Sequence, residues 1–206
     1  MRPAAFLVDG FNVYHAVVSN PRFRRYKWLN YRKLCDCYVK KTENIVSVCY
    51  FTSYNNWEPQ RAARHRIYVA ALQSVGVTIV LGAYKKRDRK CKLCNGIYKG
   101  LEEKLTDVNI AVRLLEHGMN DICDTVFLVS GDNDLVPAIR SFKRNFPEKE
   151  LRVIIPIGRG ATKLLKKETG VGQCFQMKEK HLASSQLPPT VHLPNGYTVH
   201  KPSLWP

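Results

Sequence analysis

The sequence predicts an α/β sandwich, with helices on both faces of a mostly parallel central sheet of five to six strands. Three observations carry that prediction. Short apolar runs recur along the chain, among them AAFLV, NIVSVCYF, TVFLVS and ELRVIIPIG. Stretches of helical periodicity separate them, and a helical crossover is how parallel strands are connected. The runs are continuous rather than alternating, the pattern of strands buried on both faces. With 206 residues, 45% of them hydrophobic, the chain can fill one core.

Ala4–Val8 is the first strand, followed by the sharp turn DGFN. In Trp28–Lys41, Leu34 and Tyr38 stand at helical spacing. Asn44–Phe51, β-branched and aromatic, is a second strand. Glu58–Gly76 is a helix with Ala63, Ile67, Ala70 and Ala71 on one stripe and Gly76 as its stop. Val77–Tyr84 is a third strand, and Lys85–Gly100 an irregular basic stretch. Thr106–Gly118 is a helix expected to turn Val108, Ala111, Val112 and Leu115 inward, with Gly118 past its end. Thr125–Ser130 is the fourth strand, and Leu135–Phe146 the helix after it, where Pro137 comes early enough to be tolerated. Glu150–Gly158 is a fifth strand, Ala161–Glu168 a short helix, and GQCFQM a sixth strand. From about His181 the composition turns proline-rich and unsuited to helix. Residues 1–180 therefore read as the body and 181–206 as an extended C-terminal arm. Its Leu187, Val191, Leu193, Val199, Leu204 and Trp205 can dock on that body.

Lysine and arginine number 33 against 17 aspartates and glutamates, a formal charge of +16. Such a surplus draws polyanions, so nucleic acid or an anionic membrane is the expected partner. Met1–Val8 lacks the pattern of a cleavable signal. No apolar stretch approaches the ~20 residues that span a bilayer. The seven cysteines, an odd number, read as reduced thiols of a soluble, cytoplasmic protein with no membrane role.

Against that positive background the acids are placed selectively. Asp9 directly follows the first strand. In VSGDNDLVPAIRSF (Val129–Phe142), Asp132 and Asp134 follow the fourth strand, where capping the helix needs only one acid. Asp107 opens the helix that leads into that strand, beside Glu102 and Glu103. Ligands bind outside the carboxyl ends of strands in open parallel sheets. If the first and fourth strands are neighbours, these acids meet in one crevice. Singly each has an ordinary account: a turn at Asp9-Gly10, a cap at Asp132, first-turn positions at Asp107 and Asp134. Together they form a set of hard oxygen donors suited to Mg²⁺ or Mn²⁺. Such ions can activate water for phosphoryl displacement.

Three segments carry a resemblance. FLVDGFNVYH (Phe6–His15), YKGLEEKLTDVNIAVRLLEHG (Tyr98–Gly118) and FLVSGDNDLVPAIR (Phe127–Arg140) together resemble the NYN domain of the PIN-like nuclease superfamily. The match is closest to its LabA-like bacterial branch and covers about residues 1–178. It implies a PIN-like Rossmannoid three-layer sandwich and an Mg²⁺- or Mn²⁺-dependent ribonuclease, endonucleolytic in its cut. It implies that Asp9, Asp107, Asp132 and Asp134 are the catalytic and metal-holding acids, supported by Asn12 and Ser130. By the same resemblance Lys104 meets phosphate, and Glu103 is a further acid outside direct contact with the ion. The family includes degenerate members, so a catalytically weak RNA-binding regulatory or assembly module of this fold is the alternative. A haloacid-dehalogenase phosphatase needs Asp-x-Asp after its first strand. Phe11 occupies the third position here, which removes that chemistry.

Other basic segments suit RNA. Asn20–Lys33 interleaves Arg24, Arg25 and Lys27 with Phe23, Tyr26, Trp28 and Tyr31, cations for phosphates and rings for bases. The ordinary account is a solvated loop over packed rings. Lys85, Lys86 and Arg87 precede Asp107 in a basic flap, and Arg159 follows the fifth strand between two glycines. Within the flap, Cys91 and Cys94 form one CxxC, half of a Zn²⁺ site. Its other ligands would come from His65, His117 or a second copy of the chain in a homodimer; otherwise the pair is two free thiols.

Overall fold

The computed structural model describes residues 1–90 and 93–205, with Arg89 described by its backbone alone. A six-stranded, all-parallel sheet runs through its centre. Its strands are β1 (Arg2–Asp9), β2 (Glu43–Thr52), β3 (Thr78–Leu81), β6 (Thr125–Val129), β7 (Glu150–Ile155) and β8 (Cys174–Gln176), in the spatial order β3-β2-β1-β6-β7-β8. β4 (Ala83–Lys90) and β5 (Ile97–Lys104) form a separate antiparallel hairpin, as do β9 (Thr190–His192) and β10 (Thr198–His200).

Alternation along β1 builds the layers. Ala4, Phe6 and Val8 point to one face, Ala5 and Leu7 to the other, and all five are fully buried. On the first face lie α1 (Gly10–Ser19), α2 (Tyr31–Asp36), α3 (Pro59–Ser74) and α7 (Glu179–Ser184). On the second lie α4 (Thr106–Met119), α5 (Val136–Asn145) and α6 (Lys163–Thr169). The three-layer sandwich expected from the apolar runs is present. Among the described residues, no helix is long and apolar enough to cross a membrane.

Several details differ from the sequence reading. The basic stretch expected to be irregular is the β4–β5 hairpin, paired from Ala83 with Lys104 to Lys90 with Ile97. Charged side chains obscured it, because a solvated ribbon needs no apolar run. Helix α4 buries Ile110, Leu114 and His117, while Val108 and Val112 are half exposed. The true stripe therefore starts at Asp107, one position from the valine stripe, and turns that acid toward the sheet edge. Gly118 lies within α4 rather than past it, and it is the packing of the Phe146 ring, with which a Cβ would collide, that calls for glycine there. Helix α3 buries Ala62, Tyr68, Val69, Ala71 and Leu72; of the expected stripe Ala71 is buried and Ile67 packs on the core, while Ala63 is exposed. Tyr68 sets that rotation: its hydroxyl donates to the Leu29 carbonyl at 2.7 Å and its ring meets Trp28.

The C-terminal segment is more ordered than an extended arm. It includes α7 and the β9–β10 hairpin, and Leu182, Leu187 and Val191 join the core on the first face. The Trp28 indole donates to the Pro188 carbonyl at 2.8 Å, tying the segment down.

Candidate functional site

Chain direction creates the site. β2 and β3 lie on one side of β1, and β6, β7 and β8 on the other. The sheet therefore reverses its order at the β1/β6 pair, the crevice where open α/β sheets place ligands. Val8 is in register with Val129, so the residues that leave the two strands, Asp9 and Ser130, emerge side by side.

Asp9 is buried, with 4% exposure. One carboxylate oxygen caps α1 by accepting from the Asn12 amide at 2.9 Å, and the other accepts from the Ser130 hydroxyl at 2.8 Å. Gly10 permits this close turn, since a Cβ there would sit 2.5 Å from the Phe51 carbonyl oxygen. Asn12 spans the crevice by accepting the Gly131 amide at 3.1 Å. The Asp132 amide donates to Ser130 Oγ at 3.2 Å, and the Asp132 carboxylate accepts the Asp134 amide at 3.0 Å. Ser130 and Asn12 thus position the acids, as expected of them.

The third wall comes from the β5–α4 junction. Leu105 holds φ at 80°, a costly conformation for a branched residue. That turn delivers Glu103 and Asp107 to the same cleft. Glu103 accepts hydrogen bonds from the Thr106 hydroxyl, the Thr106 amide at 3.3 Å and the Ser53 hydroxyl at 3.2 Å. The result is a cleft of about 780 Å³ lined by Asp9, Asn12, Glu103, Asp107, Asp132 and Arg159, with Phe11, His15 and Tyr84 at its flank.

Electrostatics show that the acids feel one another. Asp9 is pushed up to about 6, first by burial and then, against its hydrogen bonds to Asn12 and Ser130, by Asp107 and Asp132. Asp107 is also raised, by burial and then by Asp132, Glu103 and Asp134. None of Asp9, Glu103, Asp107 or Asp132 is ion-paired among the described residues. His15 is lowered by burial and by Arg159, so its imidazole is neutral near pH 7.

Among the described residues, no group of three or more His, Cys, Asp or Glu side chains is arranged to hold a metal ion. The acids share a cleft without meeting at a point. Their chemistry still fits a hard divalent cation: carboxylate oxygens that raise one another's proton affinity, with none of them ion-paired among the described residues. Mg²⁺ keeps several waters and takes one or two carboxylates directly, a demand this cleft can meet.

The remaining sequence-predicted residues fall variously. Asp134 is exposed and does not line the cleft. Lys104 pairs with Glu102 at 2.9 Å, and Arg87 pairs with the same acid at 3.0 Å. Tyr26, Trp28 and Tyr31 are core rings, not base platforms. Arg25 donates to Glu179 at 3.0 Å and Arg24 to the Val18 carbonyl at 2.9 Å. Lys85 and Lys86 are exposed on β4. Cys91 lies outside the described residues, and Cys94 is an exposed thiol. The histidines proposed to complete a zinc site are engaged elsewhere, His65 with the Thr52 hydroxyl at 3.2 Å and His117 with the Arg113 carbonyl at 2.9 Å. Phe11, His15 and Tyr84 escaped sequence reasoning. The available signal was helix register: Asn12 and His15 are three apart on α1, one face of the helix that Asp9 caps.

Comparison with known proteins bears on the family and the fold. The NYN domain family matches residues 3–167. Among curated proteins, none matches the chain. A crystal structure of a protein of unknown function from Vibrio parahaemolyticus superposes with a TM-score of 0.60 at 21% identity, covering 90% of this chain and 96% of that one. At that identity the likeness speaks for the fold.

Proposed function

We propose that this chain, which belongs to the NYN domain family, is a divalent-metal-dependent endoribonuclease that hydrolyses RNA phosphodiester bonds at the β1/β6 cleft. NYN domains are nuclease-like domains of the PIN-like superfamily. One observation carries the reading to this molecule: acids from three separate chain segments line a single cleft, without an ion pair among the described residues, in a chain of charge +16.

Asp9, Asp107 and Asp132 would hold the cation, which when bound supplies an activated water and neutralises charge on the departing oxygen. Asp9 is fixed in one orientation by its two hydrogen bonds, so no rotamer search precedes binding. Glu103 fixes the start of α4 and thereby Asp107. Asp134 acts at a distance, adding negative potential at Asp107. Arg159, which lines the same cleft, would meet the substrate phosphate, and His15 would offer a hydrogen bond. The exposed Lys85 and Lys86 extend the grip on the polyanion. A cytoplasmic location belongs to the same proposal, supported by free thiols at Cys35, Cys37, Cys49, Cys94, Cys123 and Cys174.

The test is cleavage of end-labelled RNA and DNA with Mg²⁺, Mn²⁺ or chelator, for wild type, Asp9→Asn and Asp132→Asn. Metal-dependent RNA cleavage that falls at least ~100-fold in both variants is expected. Equal behaviour of all three proteins on every RNA would leave a binding module without turnover.

A further inference from the structure

A second cavity of about 450 Å³ adjoins the acidic cleft, and Phe11, His15 and Tyr84 line both. Its chemistry is the opposite of its neighbour's. Among the described residues no Asp or Glu lines it; Lys27, Arg61, Arg64, Tyr14, Tyr84 and Trp205 do. We propose that this cavity is a nucleotide subsite, which takes one base of a single-stranded RNA whose backbone continues into the acidic cleft. The inference rests on the nuclease reading of that cleft.

Three features support it. Arg64 makes no ion pair among the described residues, whereas Arg61 is held by Glu58 at 2.9 Å. Lys27 sits over the Trp205 ring, its ammonium 5.6 Å from the centroid, a cation set against a ring face. Burial first, then Arg24, Arg64 and Lys201, lower its proton affinity, marking a positive field that a phosphate would relieve. The rings supply the other half of a nucleotide site, since every base has a face that stacks on aromatics.

The wall formed by Leu204 and Trp205 comes from outside the residues that match the family, 3–167. Trp205 is held by Trp28 and Tyr68, at ring distances of 6.0 and 5.5 Å. Those same two aromatics drew the C-terminal segment and α3 into the core. Leu204 and Trp205 therefore complete the cavity, and substrate preference is the property they would set.

The test compares wild type with Arg64→Gln and Trp205→Ala in steady-state cleavage of a single-stranded RNA, with thermal midpoints as a folding control. Arg64→Gln removes a partly exposed side chain without an ion pair and keeps the fold. A rise in KM of about tenfold in each variant, with kcat within about twofold, is expected. Unchanged KM in both overturns the subsite. If wild type cleaves nothing, the nuclease reading fails by itself, and anisotropy of a fluorescein-labelled oligonucleotide decides the cavity. Weaker binding by the two variants upholds the subsite, and equal binding overturns it. Binding of duplex and single strand with equal affinity, both insensitive to Trp205→Ala, also overturns it.

Discussion

Asp9 caps a helix, accepts a serine hydroxyl and faces a cleft, and the cost of this is visible in its proton affinity. Burial and two neighbouring acids hold it near 6, against an ordinary 3.8. The fold therefore favours the neutral form. That stabilising preference is complete below pH 3.8 and is lost as pH rises through about 6. Asp9→Asn should consequently be more stable than wild type at pH 8 without metal, by roughly 3 kcal/mol, with no difference at pH 3.5. Urea denaturation at the two pH values measures this, and an Asn variant less stable at pH 8 contradicts it. Ser130→Ala removes a hydrogen bond that lowers Asp9. The acid limb of the pH–rate profile should shift to higher pH, and a shift to lower pH would show that Asp9 is not the titrating group. Asp9 and Asp132 were legible in the sequence because strand ends can be counted along the chain, and Asp107 because it opens a helix beside two further acids. Their partners were less so: His15 depends on helix register, and Tyr84 on a hairpin that charged residues disguised. Asp134 shows the limit of spacing alone, since a single 3-10 turn after Asp132 points it to solvent.

At the scale of elements, the apolar strands were the plainest signal and the helix faces the least secure. Every parallel strand was visible as an apolar run, though Gly82 ends β3 before Tyr84. The stripes of α3 and α4 were read only in part: Ala71, Ala111 and Leu115 do pack on the core, but Ala63, Val108 and Val112 face outward because valine and alanine compete weakly with a buried tyrosine or a functional acid. β7 holds a polar exception. Arg152, with 1% exposure, donates to Glu150 at 2.7 and 2.9 Å and to Glu43 of β2 at 3.1 Å. Burial is the largest influence on Glu43 and works against its charge, but the Arg152 hydrogen bond, the Lys40 amide and the charges of both residues together outweigh it and hold the carboxyl below its ordinary value. Stability from this pair is present above the ordinary glutamate pKa and is lost as pH falls through the lowered one. Arg152→Met should cost about 3–5 kcal/mol by leaving Glu43 buried and unpaired. Adding Glu43→Gln should restore part of that loss, and urea titration of both variants measures it.

The whole molecule joins a positive body to a negative cleft. The charge of +16 was legible as an affinity for polyanions, but composition cannot say where the surplus sits. Some of it is spent internally, as Arg87 and Lys104 are on Glu102. Lys85 and Lys86 remain exposed. Replacing both with glutamine should reduce the slope of log affinity for single-stranded RNA against log salt by about 1.4, read by anisotropy from low to high salt. The C-terminal segment was legible as a docking arm but not as a folded one, because its hairpin and α7 draw their stability from Trp28, Tyr68 and the core beneath. The most direct measurement of the central claim is calorimetric titration of Mn²⁺ into wild type, Asp9→Asn, Asp107→Asn and Asp132→Asn at pH 8. Acids gathered at the β1/β6 edge predict that wild type binds the ion and that each single substitution weakens binding about tenfold or more. No binding by wild type, or undiminished binding by all three variants, would contradict it.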